Sequence, residues 1–182
     1  MNEPDYINNC YQQSVAMYNA LEVFDEIRKE YAELTGRDYP ILDLYRMEDA
    51  EVALFTLNSA SEITKVAVDK LREQGIKAGA ITPNIIRPFP AKQIAEALKH
   101  VKAIVVGDRA DSYGGHGGNM TNEVKAALYT HQVKDVHVIS RVYGLGGKDF
   151  FLEDALALFD LALDAVQKGY VEKPFDYYGH TP

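Results

Sequence analysis

Val101-Lys102-Ala103-Ile104-Val105-Val106-Gly107 runs into Asp108-Arg109-Ala110-Asp111-Ser112-Tyr113-Gly114-Gly115-His116-Gly117-Gly118, and a helical pattern follows from about Asn119 to Tyr129. This stretch decides the fold. An apolar run of strand length, then a glycine-rich loop, then a helix is the unit from which parallel sheets are built, because parallel strands need a crossover between them. Working outward, the same alternation recurs. Val52 to Leu57 and Ile76 to Thr82 are apolar runs separated by the helical pattern Glu62 to Glu73, which Gly75 ends. Ala91 to Lys99 is a helix, with Ile94, Ala97 and Leu98 inward. Beyond the central stretch come a strand, Val136 to Ser140, a second glycine-rich loop, and a last helix, Leu152 to Gln167. Strands with almost no polar interruption are covered on both faces, so the expected fold is a three-layer α/β domain with a mostly parallel, Rossmann-like sheet and right-handed crossovers.

The N-terminal third differs. From Tyr11 to Leu34, Met17, Ala20, Leu21, Phe24, Ile27, Tyr31 and Leu34 recur at helical spacing, and Gly36 supplies a stop. This long helix must lay its apolar stripe on the body of the chain or on a neighbour. Residues 1–50 are therefore expected as a linker helix and polar connector, and 51–170 as the α/β domain. Residues 171–182, with two prolines, Tyr177 and Tyr178, are expected as an extended arm lying on a partner.

Composition narrows the function. The chain has 182 residues, 47% hydrophobic and 25% charged, which fits a packed globular domain. Its 27 acidic against 19 basic residues give a net charge of -8, which repels nucleic acid and anionic lipid. No apolar run reaches the length of a membrane span, and the N-terminus lacks the features of a signal peptide. A cytoplasmic protein that binds neither nucleic acid nor membrane is expected. The single cysteine, Cys10, excludes an internal disulfide and a cysteine-ligated iron–sulfur cluster carried by this chain alone.

Four loops follow the strands, where open parallel sheets place their ligand crevice. Ser59 and Glu62 fit a capping box at the second helix, and Ser59 with Ser61 offers the alternative of an anion cradle. Arg87, fixed between Ile86 and Pro88, is placed to meet a carboxylate or a local acid. In the Asp108–Gly118 loop, Gly114, Gly115, Gly117 and Gly118 surround His116 and permit close backbone approach. The spacing is neither a dinucleotide fingerprint nor a P-loop. His116 has no second imidazole or thiolate nearby for a metal, and proton transfer would need a carboxylate such as Asp108 or Asp111. The fourth loop, Gly144-Leu145-Gly146-Gly147-Lys148-Asp149, also fails both motifs. No G-x-S-x-G elbow or H-E-x-x-H helix is present, and the five histidines are scattered. Taken alone, the residues describe an α/β domain without a self-contained active site, so no catalytic, cofactor-binding or metal-ligating residue is assigned.

Read in order, Tyr45-Arg46-Met47-Glu48-Asp49-Ala50-Glu51, Arg87-Pro88-Phe89-Pro90, Asp108-Arg109 and Gly144-Leu145-Gly146-Gly147-Lys148-Asp149 resemble one family. It is the α subunit of 2-oxoacid:ferredoxin oxidoreductases, above all pyruvate:ferredoxin oxidoreductase, in its transketolase C-terminal-like core domain II. The resemblance spans essentially the whole chain. It implies a holoenzyme that oxidatively decarboxylates a 2-oxoacid to an acyl-CoA, using thiamine diphosphate with Mg2+, [4Fe–4S] clusters and coenzyme A, and passes electrons to ferredoxin. It also implies that the thiamine and cluster sites lie in other domains or subunits, which are the expected partners. In this reading the present chain is an assembly domain whose glycine loops pack on its neighbours. Lys148 stands where the family has arginine, losing any bidentate carboxylate contact there. Arg109, Gly146 and Gly147 join the residues expected at an interface or ligand loop. Two rivals remain: a free-standing nucleotide or acyl-CoA binding module, and a hydrolase or transferase using His116 with Asp108 or Asp111.

Overall fold

The computed structural model describes residues 2–3 and 5–181. It divides into two compact units, Met1–Leu42 with Pro83–Pro90, and Asp43–Thr82 with Ala91–Pro182.

The first unit is dominated by α1 (Asp5–Thr35), 31 residues long and so roughly 46 Å from end to end. It starts six residues before the apolar periodicity does. Asn8 and Asn9 hide that start from sequence reading, since asparagine is a poor helix former. The helix stops where expected: Gly36 adopts φ 70°, and its N–H donates to Ala32 O at 2.8 Å. Beyond the stop, Arg28 donates both hydrogen bonds of a fork to Asp38, at 2.8 and 2.9 Å, and Tyr39 tilts against Tyr31 with centroids 5.9 Å apart. No residue of α1 is buried. From Tyr6 to Leu21 it carries no charge at all. Ala20, Phe24 and Ile27 line an apolar groove of about 770 Å³ with Ile85, Ile86 and Pro88 of the same unit.

The second unit carries the sheet. Its strands are β1 (Leu42–Tyr45), β2 (Val52–Phe55), β3 (Ala78–Pro83), β4 (Ala103–Asp108), β5 (His137–Val142) and β6 (Phe175–Tyr177), in the order β1-β3-β2-β4-β5-β6. The pairs β2–β3, β2–β4, β4–β5 and β5–β6 are parallel. Strand side chains alternate between faces. Val52 and Leu54 meet Ala67, Val68 and Leu71 of α2 (Ser59–Glu73) and Leu158, Phe159 and Ala162 of α5 (Leu152–Lys168). Ala53 and Phe55, fully buried, face the other way. The remaining layer is α3 (Ala91–Leu98) packed against α4 (Asn119–Thr130), with α4 also on β4 and β5. The expected three-layer α/β domain is the observed one. Phe159 is wholly inaccessible, so its truncation to alanine removes about 3–5 kcal/mol.

Two segments differ from expectation. The polar connector after Pro40 contains β1 and a clasp. Arg72 donates to Asp49, Arg46 O and Ala78 O, each at 2.7 Å, and Tyr45 donates to Asp69 at 2.9 Å. Buried Met47 sits directly over Gly79, where an added Cβ would lie 2.5 Å from its sulfur.

The C-terminal residues, expected as an extended arm, pair with this chain's own sheet. They return as β6, in register with β5 from Ser140↔Phe175 to Val142↔Tyr177. Buried Arg141 fixes the approach by donating to Lys173 O at 3.0 Å. The open edge of β5 offers unpaired backbone groups, and the chain's own tail satisfies them.

Truncation after Tyr170 is therefore expected to lower the melting temperature by about 2–4 °C or more, as the loss of about 1 kcal/mol does in a chain of this size. A truncated chain that melts unchanged would show that β6 contributes nothing to the sheet.

Candidate functional site

At the end of β4 the backbone of Val101–Gly107 delivers Asp108, only 3% exposed, to the start of α4. A helix start leaves its first N–H groups without partners. The residue in the capping position here is Gly118, which has no side chain to offer. Asp108 does the capping from another strand. Met120 N–H donates to its Oδ1 at 2.7 Å, and Thr121 N–H to its Oδ2 at 3.2 Å. The Thr121 hydroxyl donates to the same Oδ2 at 2.8 Å. The helix dipole favours a negative charge at this place. Burial pushes the carboxyl above its ordinary value, while the amides and the hydroxyl pull it back.

Ser140 of β5 extends the arrangement. Its hydroxyl oxygen accepts Gly118 N–H at 3.0 Å and lies 2.9 Å from Thr121 Oγ1. The paired glycines follow from this packing. A Cβ on Gly118 would fall 2.2 Å from Asp108 Oδ2, and one on Gly117 would fall 3.1 Å from Thr121 Cγ2. A Cβ on Gly115 would fall 3.0 Å from Ser112 Cβ, so three of the four loop glycines report an internal fit.

The outer part of the loop is held from outside. Asp111 accepts the Tyr113 N–H on Oδ1 at 3.2 Å and the Tyr177 hydroxyl on Oδ2. Ser112 donates to Asn119 Oδ1 at 2.7 Å. Arg109 Nη2 donates to Gly144 O at 3.0 Å, joining this loop to the next. That second loop is a 3₁₀ turn, Leu145–Gly147, with Gly144, Gly146 and Gly147 at positive φ. Lys148 Nζ donates to Gly179 O at 2.5 Å, and Tyr178 donates to Asp154 at 2.9 Å beside the start of α5.

The residues singled out in the sequence thus separate. Asp108, Arg109, Gly117 and Gly118 belong to one connected set with Gly144 and Lys148. Gly114, Gly146 and Gly147 have open space about them. His116 is exposed, and only its backbone carbonyl is engaged, by Lys125 Nζ at 2.7 Å. Asp108 and Asp111 are committed elsewhere, so the pairing of His116 with either carboxylate is not formed.

The capping box at Ser59 is not formed either. Ser59 is exposed at the first position of α2 and Asn58 precedes it at φ 56°. Glu62 pairs with Lys65 at 3.0 Å instead, and Ser61 donates to Asn58 O at 2.6 Å. Arg87 lies in the first unit, exposed, with Nη1 donating to Ile86 O at 2.6 Å, and the peptide bond to Pro88 is cis.

Thr121 and Ser140 were not among the expected residues, and Tyr177 and Tyr178, expected against a partner, bond to Asp111 and Asp154 of this chain. The available signal was Gly118 itself: a glycine at a helix start with no capping side chain implies that another segment supplies the cap.

The donor set bears on cofactors. A [4Fe–4S] cluster takes four thiolates, whereas Cys10 is the one cysteine and lies exposed on α1. Among the described residues, no group of three or more His, Cys, Asp or Glu side chains could hold a metal ion. One thiol does not fit a four-thiolate cluster. Nor is any helix of the described residues long and apolar enough to cross a membrane.

Fold and site together define a Rossmann-like α/β domain whose carboxyl-edge loops are bound to one another. Comparison with known proteins makes the class specific. The sequence profile described as "Pyruvate:ferredoxin oxidoreductase core domain II" matches residues 50–155. The chain belongs to that family. It is 41% identical to the pyruvate synthase subunit PorA of Thermotoga maritima, across 87% of this chain and 40% of that protein. It is 34% identical to the ketoisovalerate oxidoreductase subunit VorA of Pyrococcus horikoshii, across 96% and 44%. The chain thus spans about two fifths of the length of these relatives. A solved 2-oxoglutarate:ferredoxin oxidoreductase from Magnetococcus marinus, with 2-oxoglutarate, coenzyme A and succinyl-CoA bound, shares the fold. The TM-score is 0.50 at 18% identity, over 76% of this chain and 22% of that one.

Two outcomes test the site. Asp108→Ala should destabilise the chain by about 2–4 kcal/mol in urea unfolding, because it orphans two amides and a hydroxyl. Asp108→Asn should cost less.

Tyr177 is pushed up to about 12 chiefly by its bond to Asp111, and Tyr178 to about 12 by burial and then its bond to Asp154. Both values are raised on folding. Their stabilisation is therefore complete below pH 10 and disappears as pH rises through about 12. In a spectrophotometric titration, three of the 12 tyrosines, Tyr177, Tyr178 and Tyr143, which burial also pushes up, should ionise late in the native chain and at the ordinary value in urea. Superimposable native and denatured curves would contradict these bonds.

Proposed function

We propose that this chain is part of the α-type subunit of a 2-oxoacid:ferredoxin oxidoreductase, acting on pyruvate in the first place, and that it contributes position rather than chemistry. The observation that carries this is the combination of family and site. The chain resembles PorA and VorA subunits over most of its length, yet Asp108 and Asp111 at its carboxyl edge are spent on internal bonds. The reaction implied is oxidative decarboxylation of a 2-oxoacid to an acyl-CoA and CO2 with reduction of ferredoxin. Thiamine diphosphate, Mg2+, [4Fe–4S] clusters and coenzyme A would be held by other domains or subunits of a cytoplasmic assembly, which are this chain's partners.

Within that assembly the chain's residues orient rather than react. The carboxyl edge presents Gly146, Gly147, Tyr113 and Leu145 outward, all exposed. Glycine there admits a neighbouring backbone at close range, and tyrosine and leucine supply apolar contact. Lys148, where an arginine was expected, is used on the chain's own tail, so no substrate carboxylate contact is assigned to it.

The test is an anaerobic purification through an affinity tag on this chain, followed by ferredoxin reduction with pyruvate, 2-ketoisovalerate or 2-oxoglutarate. The purified assembly should reduce ferredoxin with pyruvate as the preferred acid, and the isolated chain should not. Turnover by the isolated chain would overturn the proposal. So would thermal stabilisation by coenzyme A, NAD or ATP, since a ligand at 100 times its Kd raises stability by about 2.7 kcal/mol. That second outcome would favour a free-standing binding module.

A further inference from the structure

Three links at the carboxyl edge close into a ring. The first loop holds the second through Arg109 and Gly144 O, 3.0 Å apart. The second holds the tail through Lys148 and Gly179 O, 2.5 Å apart. The tail returns to the first loop through the Tyr177 hydroxyl and Asp111 Oδ2, and Asp111 in turn holds the Tyr113 N–H. Gly179 makes room for its link: a Cβ there would lie 2.8 Å from Lys148 Nζ.

The loops have little of their own to fix them. Gly114, Gly144, Gly146 and Gly147 all stand at positive φ, as does Tyr113 at 28°. Such residues lose much chain entropy when ordered. The tail is in the opposite situation, because β6 is laddered to β5 and Tyr178 is bonded to Asp154.

We propose that the C-terminal strand is a strap that positions both glycine-rich loops as one unit, with Tyr177 and Lys148 as the positioning residues. Each link is a partly exposed contact that contributes little alone. Closed into a ring, each link limits how far the other two segments move, so releasing one corner loosens all three. This inference stands on the ring alone and is independent of the proposed reaction.

Hydrogen exchange read by mass spectrometry on the full chain tests it. Tyr177→Phe removes one hydroxyl and keeps the ring. It should speed exchange roughly tenfold in residues 109–118, as the loss of a bond to a charged group does. It should also speed exchange in residues 143–149, which carry neither partner of that bond. Lys148→Met should reciprocally loosen residues 109–118, and Gly179→Ala should match it by breaking the same link from the other side. Asp111→Asn, which keeps an acceptor oxygen, should retain protection that Asp111→Ala loses. Lys168→Met, which removes a paired lysine on α5 outside the ring, should leave both loops unchanged. The proposal fails if each ring variant affects only the segment its side chain touches, or if Lys168→Met loosens the loops equally.

Discussion

One buried carboxylate fixes the geometry of the carboxyl edge. Asp108 ends β4 and at the same time caps α4, so the strand and the helix that follows it are locked end to end across the loop between them. The cap satisfies backbone donors that would otherwise be buried without partners, and it sets the helix dipole against a formal charge. Ser140 brings β5 into the same arrangement through Gly118. Strand, loop and helix therefore meet at one side chain, with the next strand joined through Thr121; Gly118 makes room for Asp108, and Gly117 for Thr121 and Ser140. The outer loop has no comparable anchor of its own, so it depends on residues far away in sequence.

The same economy appears at both sheet edges. A parallel sheet needs partners for its outer backbone groups, and the chain supplies short strands from its flanks. At one side the connector clasps Gly79 through Met47, with Arg72 and Asp49 closing over it. At the other, the tail pairs with β5, spends one tyrosine hydroxyl and one carbonyl on the loops, and spends a second tyrosine hydroxyl on α5.

The central strands and the helices over them were legible in the sequence because each obeys one period, and glycines follow α1, α2 and α5. Gly36 and Gly75 marked their helix ends correctly. β1 and β6 were not legible. Leu42-Asp43-Leu44-Tyr45 and Phe175-Asp176-Tyr177 are short and half-buried, and an edge strand has no need of the continuous apolar run that announces a central one. Asp108 was singled out as an interface or ligand-loop residue, with proton transfer beside His116 as a rival reading. Its true partners, the Met120 amide and Thr121, lie on α4, and Ser140 joins them only through Thr121 and Gly118, where no local pattern ties them to it. Glycine density pointed to the right loop, and it overstated how much of that loop faces outward.

Gly79 has a consequence for how this sequence can change over generations. A side chain cannot be added there while Met47 and Ala50 keep their places, 2.5 and 2.9 Å from where the new carbon would sit. Lineages that depart from glycine at this point should therefore have altered the methionine first. The order of those two events is imposed by volume, whatever reaction the assembly performs.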